Sequence, residues 1–397
     1  MTVTPRAAAV VLALGATLGA GTLLGFAPAA AVAGPWFLLA PAVAAIAALC
    51  CAFSTADQHR AYPDAAGGYA YIRNQLGPWP ARIGASAHLV GRAGVAAALA
   101  GMFGAYVFPE DRVLAGLVLL VATAAFGRRL HGRIAWASAL VVLGVLAMVV
   151  LVCFSVTPPA NPPATGGPGF DGIMGAAAVL FVVFTGFERI TAPVDGDQVF
   201  PARVLHFAVP VVIGLALVVA LGVGAAVLRQ LGAARLALSP APLRDALIAA
   251  DGRALVPVLA VGAAVAGVSS LAFVLAGARR TLTGLVESGD LPVIRARWRL
   301  DVIGVLLASA AYLALTPATA LAVGACGTAF YYGFTNASAR VLLQEDRTWP
   351  MRTACLGLGM SVLLGMSAPA DALLLTAVGL AVGTGLLGLN RIRQPAT

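Results

Sequence analysis

The sequence predicts an all-α polytopic membrane protein with twelve transmembrane helices. Three observations carry that reading. Of 397 residues, 60% are apolar and only 10% charged, whereas soluble domains carry roughly 25% charged residues. Apolar runs on the scale of a bilayer crossing, about 20 residues, recur along the whole chain, and mean hydropathy is +0.94. The arginines also segregate between alternate loops, as the positive-inside rule requires.

The first run, 7–33, is interrupted by Gly15, Gly19, Gly21 and Gly25. Glycine costs roughly 1 kcal/mol against alanine inside a helix. Open backbone at membrane depth is tolerated only where it lines protein or a water-filled cavity. A break at Gly19-Ala20-Gly21-Thr22 therefore offers bare amides to something small and polar. Its length exceeds a signal-peptide core, so the segment is expected to remain a span despite the small residues Ala29 to Gly34.

Runs 35–56, 78–107, 112–126 and 133–156 follow, the third of these short. The loop 57–77 holds an amphipathic stretch (Tyr69, Tyr71, Arg73, Asn74) that reads as a gate element or as plain loop. Thr157–Gly169, without charge and rich in Pro and Gly, reads as a connector between two halves. The remaining runs are 172–193, 204–228, 254–278, 301–316, 318–338, 351–367 and 371–390. The 229–253 loop has room for a surface helix around 243–250. The expected divisions are a first repeat at 1–156, a linker at 157–171, a second repeat at 172–345, and two further spans with a tail at 346–397.

Placing the N-terminus inside puts 19 of the 25 arginines in inside loops, among them Arg60, Arg73, Arg128, Arg129, Arg279, Arg280, Arg295 and Arg393. Five lie outside (Arg112, Arg229, Arg235, Arg244, Arg253), and Arg92 lies within a span. The formal net charge of +9 is thus a topology signal and implies no nucleic acid partner. Both termini should be cytoplasmic. Lysine is absent, which excludes Schiff-base chemistry. The five cysteines (Cys50, Cys51, Cys153, Cys326, Cys355) lie in apolar surroundings without metal-ligand spacing and read as small core residues. The four histidines (His59, His88, His131, His206) are scattered, so no enzyme constellation, cofactor or metal is expected.

The sixth run repeats the oddity of the first. Phe181-Val182-Val183-Phe184-Thr185-Gly186-Phe187-Glu188-Arg189 places a glycine and a charged pair at membrane depth, in a span of opposite direction. Paired, interrupted spans at matching positions point to an inverted-repeat transporter with its site between them. The alternative is that these glycines only allow close helix packing, a reading Gly15-x3-Gly19 fits well.

Four segments resemble the amino acid–polyamine–organocation (APC) permeases. Gly15-Ala16-Thr17-Leu18-Gly19-Ala20-Gly21-Thr22 is similar to the family's G-x-x-x-G-x-G-I, with Thr22 for isoleucine. Tyr62-Pro63-Asp64-Ala65-Ala66-Gly67-Gly68-Tyr69-Ala70-Tyr71 with Leu76-Gly77-Pro78 resembles P-x-x-G-G-x-Y-x-Y followed by x-G-P. Phe184 to Glu188 matches F-x-G-F-E. Arg280, Gly289 and Pro292 fit S-R-x8-G-x2-P, with Arg279 for the serine. The resemblance implies a five-plus-five inverted-repeat (LeuT-like) fold with discontinuous helices one and six, in the cytoplasmic (inner) membrane of a bacterium.

It also implies a secondary transporter of an amino acid or related amine, driven by H+, Na+ or exchange. A polyamine or other organocation permease, a channel and a non-transporting sensor are the alternatives. Amides of Gly19, Ala20, Gly21 and Thr22 would take a carboxylate at the positive end of a half-helix. Carbonyls around Phe181, Val182, Val183, Phe184 and Thr185 would take an ammonium.

Glu188 reads as a hinge residue bonded to freed amides or to Arg189, or as a proton carrier. Arg92 stays charged and reads as a fixed cation or as snorkelling toward the cytoplasmic side. His88 reads as a packing residue or a pH-sensitive group. Ser269 and Ser270 sit where sodium-coupled relatives of the fold place hydroxyls, and serine pairs also pack helices. Thr328, Tyr331, Tyr332 and Asn336 read as gate or contact residues.

Overall fold

A computed structural model describes residues 4–63, 67–126, 133–158, 169–193, 198–294 and 296–392. The connector at 159–168, Asp64 to Ala66 of the glycine-pair motif, Arg128, Arg129, His131, Arg295 and Arg393 lie outside the described residues. Among those described there is no β-strand; the fold is a bundle of helices. Among the described residues, seven helical stretches are long and apolar enough to cross a membrane, and three shorter apolar helices accompany them.

The glycines of the first run cut it into three. Helix α1 (Pro5–Thr17) starts on Thr4, whose hydroxyl accepts from the Ala7 amide, with Pro5 at the first helical position. Leu18 and Gly19 leave helical geometry (Gly19 φ −134°, ψ −129°), and α2 (Ala20–Leu24) restarts with the Thr22 and Leu23 amides on the Gly19 carbonyl. Gly25 leads on into α3 (Phe26–Ala33). A 3-10 turn at Gly34–Leu39 delays α4 to Ala40–Ala61, five residues beyond the expected start. Two positive-φ glycines, Gly67 (φ 78°) and Gly77 (φ 89°), bracket the short helix α5 (Gly68–Leu76). Glycine adopts that region without steric cost. Pro78 then opens α6 (Pro78–Val107).

Helices α7 (Arg112–Phe126) and α8 (Arg133–Ser155) follow. Helix α9 (Phe170–Leu180) then runs into a 3-10 stretch, Phe181–Phe187, and on into α10 (Glu188–Thr191). The sixth run thus stays continuous and tightens, where sequence reading expects an open break. Helix α11 spans Ala202–Leu238 and bends at Gly232, absorbing the start of the expected 229–253 loop. Helix α12 (Pro242–Ala249) is the surface helix. Helices α13 (Val256–Glu287), α14 (Arg297–Ala314), α15 (Pro317–Ala339), α16 (Met351–Met366) and α17 (Ala370–Ile392) follow.

The centre is made by α6 and α15, which meet backbone to backbone. A Cβ at Gly94 would fall 2.6 Å from the Gly324 amide nitrogen, and one at Gly327 would fall 2.7 Å from the Gly91 nitrogen. Small residues that let helices approach are what drives association in lipid, where apolar burial gains little. Large apolar side chains are instead exposed on α7, α8, α11, α14 and α17, for example Val118, Leu151, Val218, Leu306 and Leu386. Such extensive exposure fits a lipid surface. Cys50, Cys51, Cys153 and Cys326 are buried, but Cys355 is exposed, contrary to its reading as a core residue.

Candidate functional site

The two odd segments of the sequence lie against each other. A Cβ at Gly186 would meet the Thr17 nitrogen at 2.5 Å, one at Gly21 would meet the Val183 Cα and nitrogen at 2.9 Å, and one at Gly25 would meet a Leu180 methyl at 2.9 Å. As one chain rises from 17 to 25, its partner falls from 186 to 180, so the break after α1 and the 3-10 stretch cross in antiparallel register. Gly19 faces α13, where a Cβ on it would overlap the Ser270 hydroxyl and fall 2.7 Å from the Ser270 Cβ. That hydroxyl is buried without a hydrogen-bond partner among the described residues, whereas Ser269 donates to the Ala266 carbonyl of its own helix at 3.2 Å. The Thr22 hydroxyl donates to the Gly19 carbonyl at 3.0 Å and the Thr185 hydroxyl to the Val182 carbonyl at 3.0 Å. Phe181, Val182, Val183, Phe184 and Thr185 are all buried.

One turn further along, four elements converge on a buried polar chain. Glu188 pairs with Arg92, reaching across from α6, and its Oε1 accepts from the Tyr332 hydroxyl of α15 at 2.6 Å. Arg92 Nε donates to His88 Nε2 at 2.9 Å, and His88 Nδ1 lies 2.7 Å from the Thr281 hydroxyl of α13. Since Nε2 accepts, the proton of neutral His88 sits on Nδ1 and is donated to Thr281. The Arg92 guanidinium rests 5.0 Å over the Phe273 ring. Tyr332 is wedged against Phe181, Phe187 and Tyr331, with centroids 5.7, 5.5 and 5.2 Å away. Arg92 thus points inward as a paired cation and does not snorkel. Tyr332 anchors Glu188, while Asn336 donates to the Tyr332 carbonyl at 2.8 Å, and Thr328 bonds back to Gly324 at 2.7 Å.

Beneath this chain, α5 closes one end of the bundle. A Cβ at Gly67 would meet Arg280 Nε at 2.9 Å, and one at Gly68 would overlap the Tyr331 hydroxyl. The glycine pair is therefore what lets the loop seat on Arg280 and Tyr331. Helix α5 is fastened by Asp290, fully buried in the loop after α13. Asp290 accepts from Arg82 at 2.9 Å, Arg73 at 3.1 Å and Tyr69 at 2.6 Å. Burial raises the Asp290 pKa, but the bonds from Arg82 and Tyr69 and the charges of Arg82 and Arg73 outweigh it, so the pKa is lowered. Burial pushes the neighbouring Tyr71 phenol up to about 12, against the Arg280 charge. Sequence reasoning missed this knot. Its signal was present, since Asp290 falls inside the segment from Gly289 to Pro292.

The opposite end is open. A cavity of about 680 Å3 lies between α2, α3, α6 and α15, with Leu24, Gly101, Val179 and Ala322 toward the break and Arg112 and Asp371 among its polar lining. Among the described residues no three His, Cys, Asp or Glu side chains gather as a metal site.

No model of a known protein family matches the chain. It is 34% identical over 402 residues to uncharacterized transporters of Mycobacterium tuberculosis and Mycobacterium bovis, covering 97% of this chain and 90% of each relative. It is 30% identical over 242 residues to a human protein named cationic amino acid transporter 4, covering 53% of this chain and 37% of that one. A crystal structure of a mutant manganese transporter of Eremococcus coleocola superposes with a TM-score of 0.63 at 14% identity, covering 98% of this chain and 95% of that one. At that identity the likeness concerns the fold alone. The chain belongs to the family of these mycobacterial transporters, and it is a multi-pass membrane transporter rather than an enzyme.

Proposed function

We propose that the chain is a secondary active transporter of APC type, moving an amino acid or related amine by alternating access. In this reading twelve spans form a five-plus-five inverted repeat, 1–156 against 172–345, joined by the linker at 157–171 and followed by 346–397. The arginine distribution supports cytoplasmic termini in a bacterial inner membrane. One observation carries the reading: Gly21 touches the Val183 backbone, so the start of α2 faces the 3-10 stretch at Phe181–Phe187.

A carboxylate suits the Ala20 and Gly21 amides, the first of α2, where a helix lacks intrahelical acceptors. The other two amides expected from the sequence are already bonded, Gly19 to the Thr17 carbonyl at 3.0 Å and Thr22 to the Gly19 carbonyl at 3.1 Å. An ammonium suits the carbonyls of Phe181 to Thr185, where 3-10 geometry leaves poorer internal hydrogen bonds. The cavity of about 680 Å3 serves as the entrance from outside. The α5 floor, held by Asp290, closes the cytoplasmic path. Glu188 and Arg92 form the hinge between site and floor, and the Ser270 hydroxyl, without a hydrogen-bond partner among the described residues, is the candidate for coupling to H+ or Na+.

Counterflow in proteoliposomes tests this reading. An internal load of the correct amino acid should give saturable, trans-accelerated uptake. Gly21→Val, which drives a side chain into Val183, should abolish it while the protein still reconstitutes. Linear flux would mean a channel, and no flux with retained binding would mean a sensor.

A further inference from the structure

Both oxygens of the Glu188 carboxylate are engaged and its charge is already balanced by Arg92. One oxygen takes Arg92 and the other takes the Tyr332 hydroxyl at 2.6 Å. All three side chains are at least nine-tenths buried. Arg92 is equally engaged, since its Nε donates to His88 at 2.9 Å. Beside the pair lies a cavity of only about 30 Å3, lined by Glu188, His88, Phe273, Gly277, Thr281 and Tyr331, with Arg280 at its floor. That is room for a water molecule or two. The guanidinium occupies the adjoining space. A Cβ at Gly277 would fall 3.1 Å from Arg92 Cζ, and Phe273 lies under the same group.

Resting on the amino-acid reading above, we propose that Arg92 is a built-in counter-cation that determines specificity. It occupies the anionic position beside the site and confines transport to amino acids with uncharged side chains. A lysine-like ammonium entering here would find Glu188 already neutralised and would meet two guanidiniums, Arg92 and Arg280. Like charges juxtaposed in a desolvated site cost several kcal/mol, so selectivity against cationic side chains is built into the fold. The relative named as a cationic amino acid transporter makes this a sharp distinction.

Truncating Arg92 reverses the logic. It leaves Glu188 as a buried charge without its partner, which strongly favours any ligand that resupplies a cation. It also joins the vacated guanidinium space to the cavity of about 30 Å3.

The test is equilibrium binding of L-alanine, L-leucine and L-lysine to the full-length protein in nanodiscs, read by thermal shift and radioligand competition. The wild type should bind alanine or leucine and discriminate against lysine. Arg92→Gln should improve lysine binding by roughly tenfold or more, and adding Glu188→Gln should erase the gain. Arg92→Lys keeps a cation and should keep the wild-type preference, which preserves the test if Arg92→Gln does not fold. Wild-type protein that binds lysine as tightly as leucine overturns the counter-cation role and leaves the amino-acid reading standing. A folded Arg92→Gln variant without the gain does the same. Binding of none of the three by the wild type overturns both.

Discussion

Asp290→Asn should release the floor of the bundle. The carboxylate is fully buried and holds Arg82, Arg73 and Tyr69 together. Asparagine keeps the shape but leaves Arg82, only 5% exposed, without its counter-ion. Removing one partner of a buried pair costs about 3–5 kcal/mol. The Arg73 side chain is 25% exposed, so its share falls toward the roughly 0–1 kcal/mol of a surface pair. The low end, about 3 kcal/mol for the whole knot, is therefore the expected loss. For a carrier poised between two conformations that changes relative populations by roughly 150-fold.

Hydrogen exchange of the α5 amides (Gly68–Leu76) reads this directly, because their protection depends on the floor staying docked. Protection should fall by about two orders of magnitude. Protection within about threefold of the wild type would refute the reasoning. The same group sets a pH dependence. A depressed folded-state pKa contributes stability above the unfolded value and loses it as pH falls through the folded value. With the Asp290 pKa lowered by Arg82, Tyr69 and Arg73 against the opposing effect of burial, α5 protection should be flat near neutrality. It should collapse only in acid, below the ordinary aspartate range, and Asp290→Asn should lack that step.

Two further outcomes follow from the crossing of the first and sixth runs. Gly186→Ala places a methyl 2.5 Å from the Thr17 nitrogen and 2.7 Å from its Cα. Backbone cannot yield as a flexible side chain does, so overpacking should cost about 1–3 kcal/mol and lower the melting temperature; an unchanged melting temperature contradicts the contact. Ser270→Ala removes a buried hydroxyl that lacks a hydrogen-bond partner among the described residues. In sodium-free buffer the melting temperature should hold or rise, since leaving such a group unsatisfied costs about 1–3 kcal/mol, and a fall would refute the orphan state.

The parts of this architecture legible in the sequence were those that local chemistry dictates. Glycines at 19 and 21 marked a helix interruption because glycine gains nothing on a lipid face, and α1 ends at Thr17 for that reason. The surface helix announced at 243–250 is α12, opened by Pro242 at its first helical position. The glycine pair at 67–68 stood out only through the family resemblance, and the structure seats it against Arg280 and Tyr331.

What stayed hidden depends on contacts distant in sequence. No local pattern links Arg92 to Glu188, 96 residues apart, or Tyr332 to the same carboxylate, 144 residues away. The sixth run looked like a mirror of the first, but Phe181 to Phe187 tightens into 3-10 turns because bulky, buried Phe and Val side chains fill the space that bare glycine leaves open. Helix α15 matches the expected run 318–338 within a residue, but its place at the centre of the bundle, packed against α6 through Gly324 and Gly327, has no local signal.

In the proposed site the Ala20 and Gly21 amides read a carboxylate while the carbonyls at 181–185 read an ammonium. Binding of leucine, of its decarboxylated amine and of its deaminated acid to the purified protein tests this most directly. The account predicts saturable binding of leucine alone, with both truncated compounds weaker by at least about a hundredfold, the scale of losing one charge-assisted contact set in a buried site. Equal affinity for the amine or for the acid would contradict it.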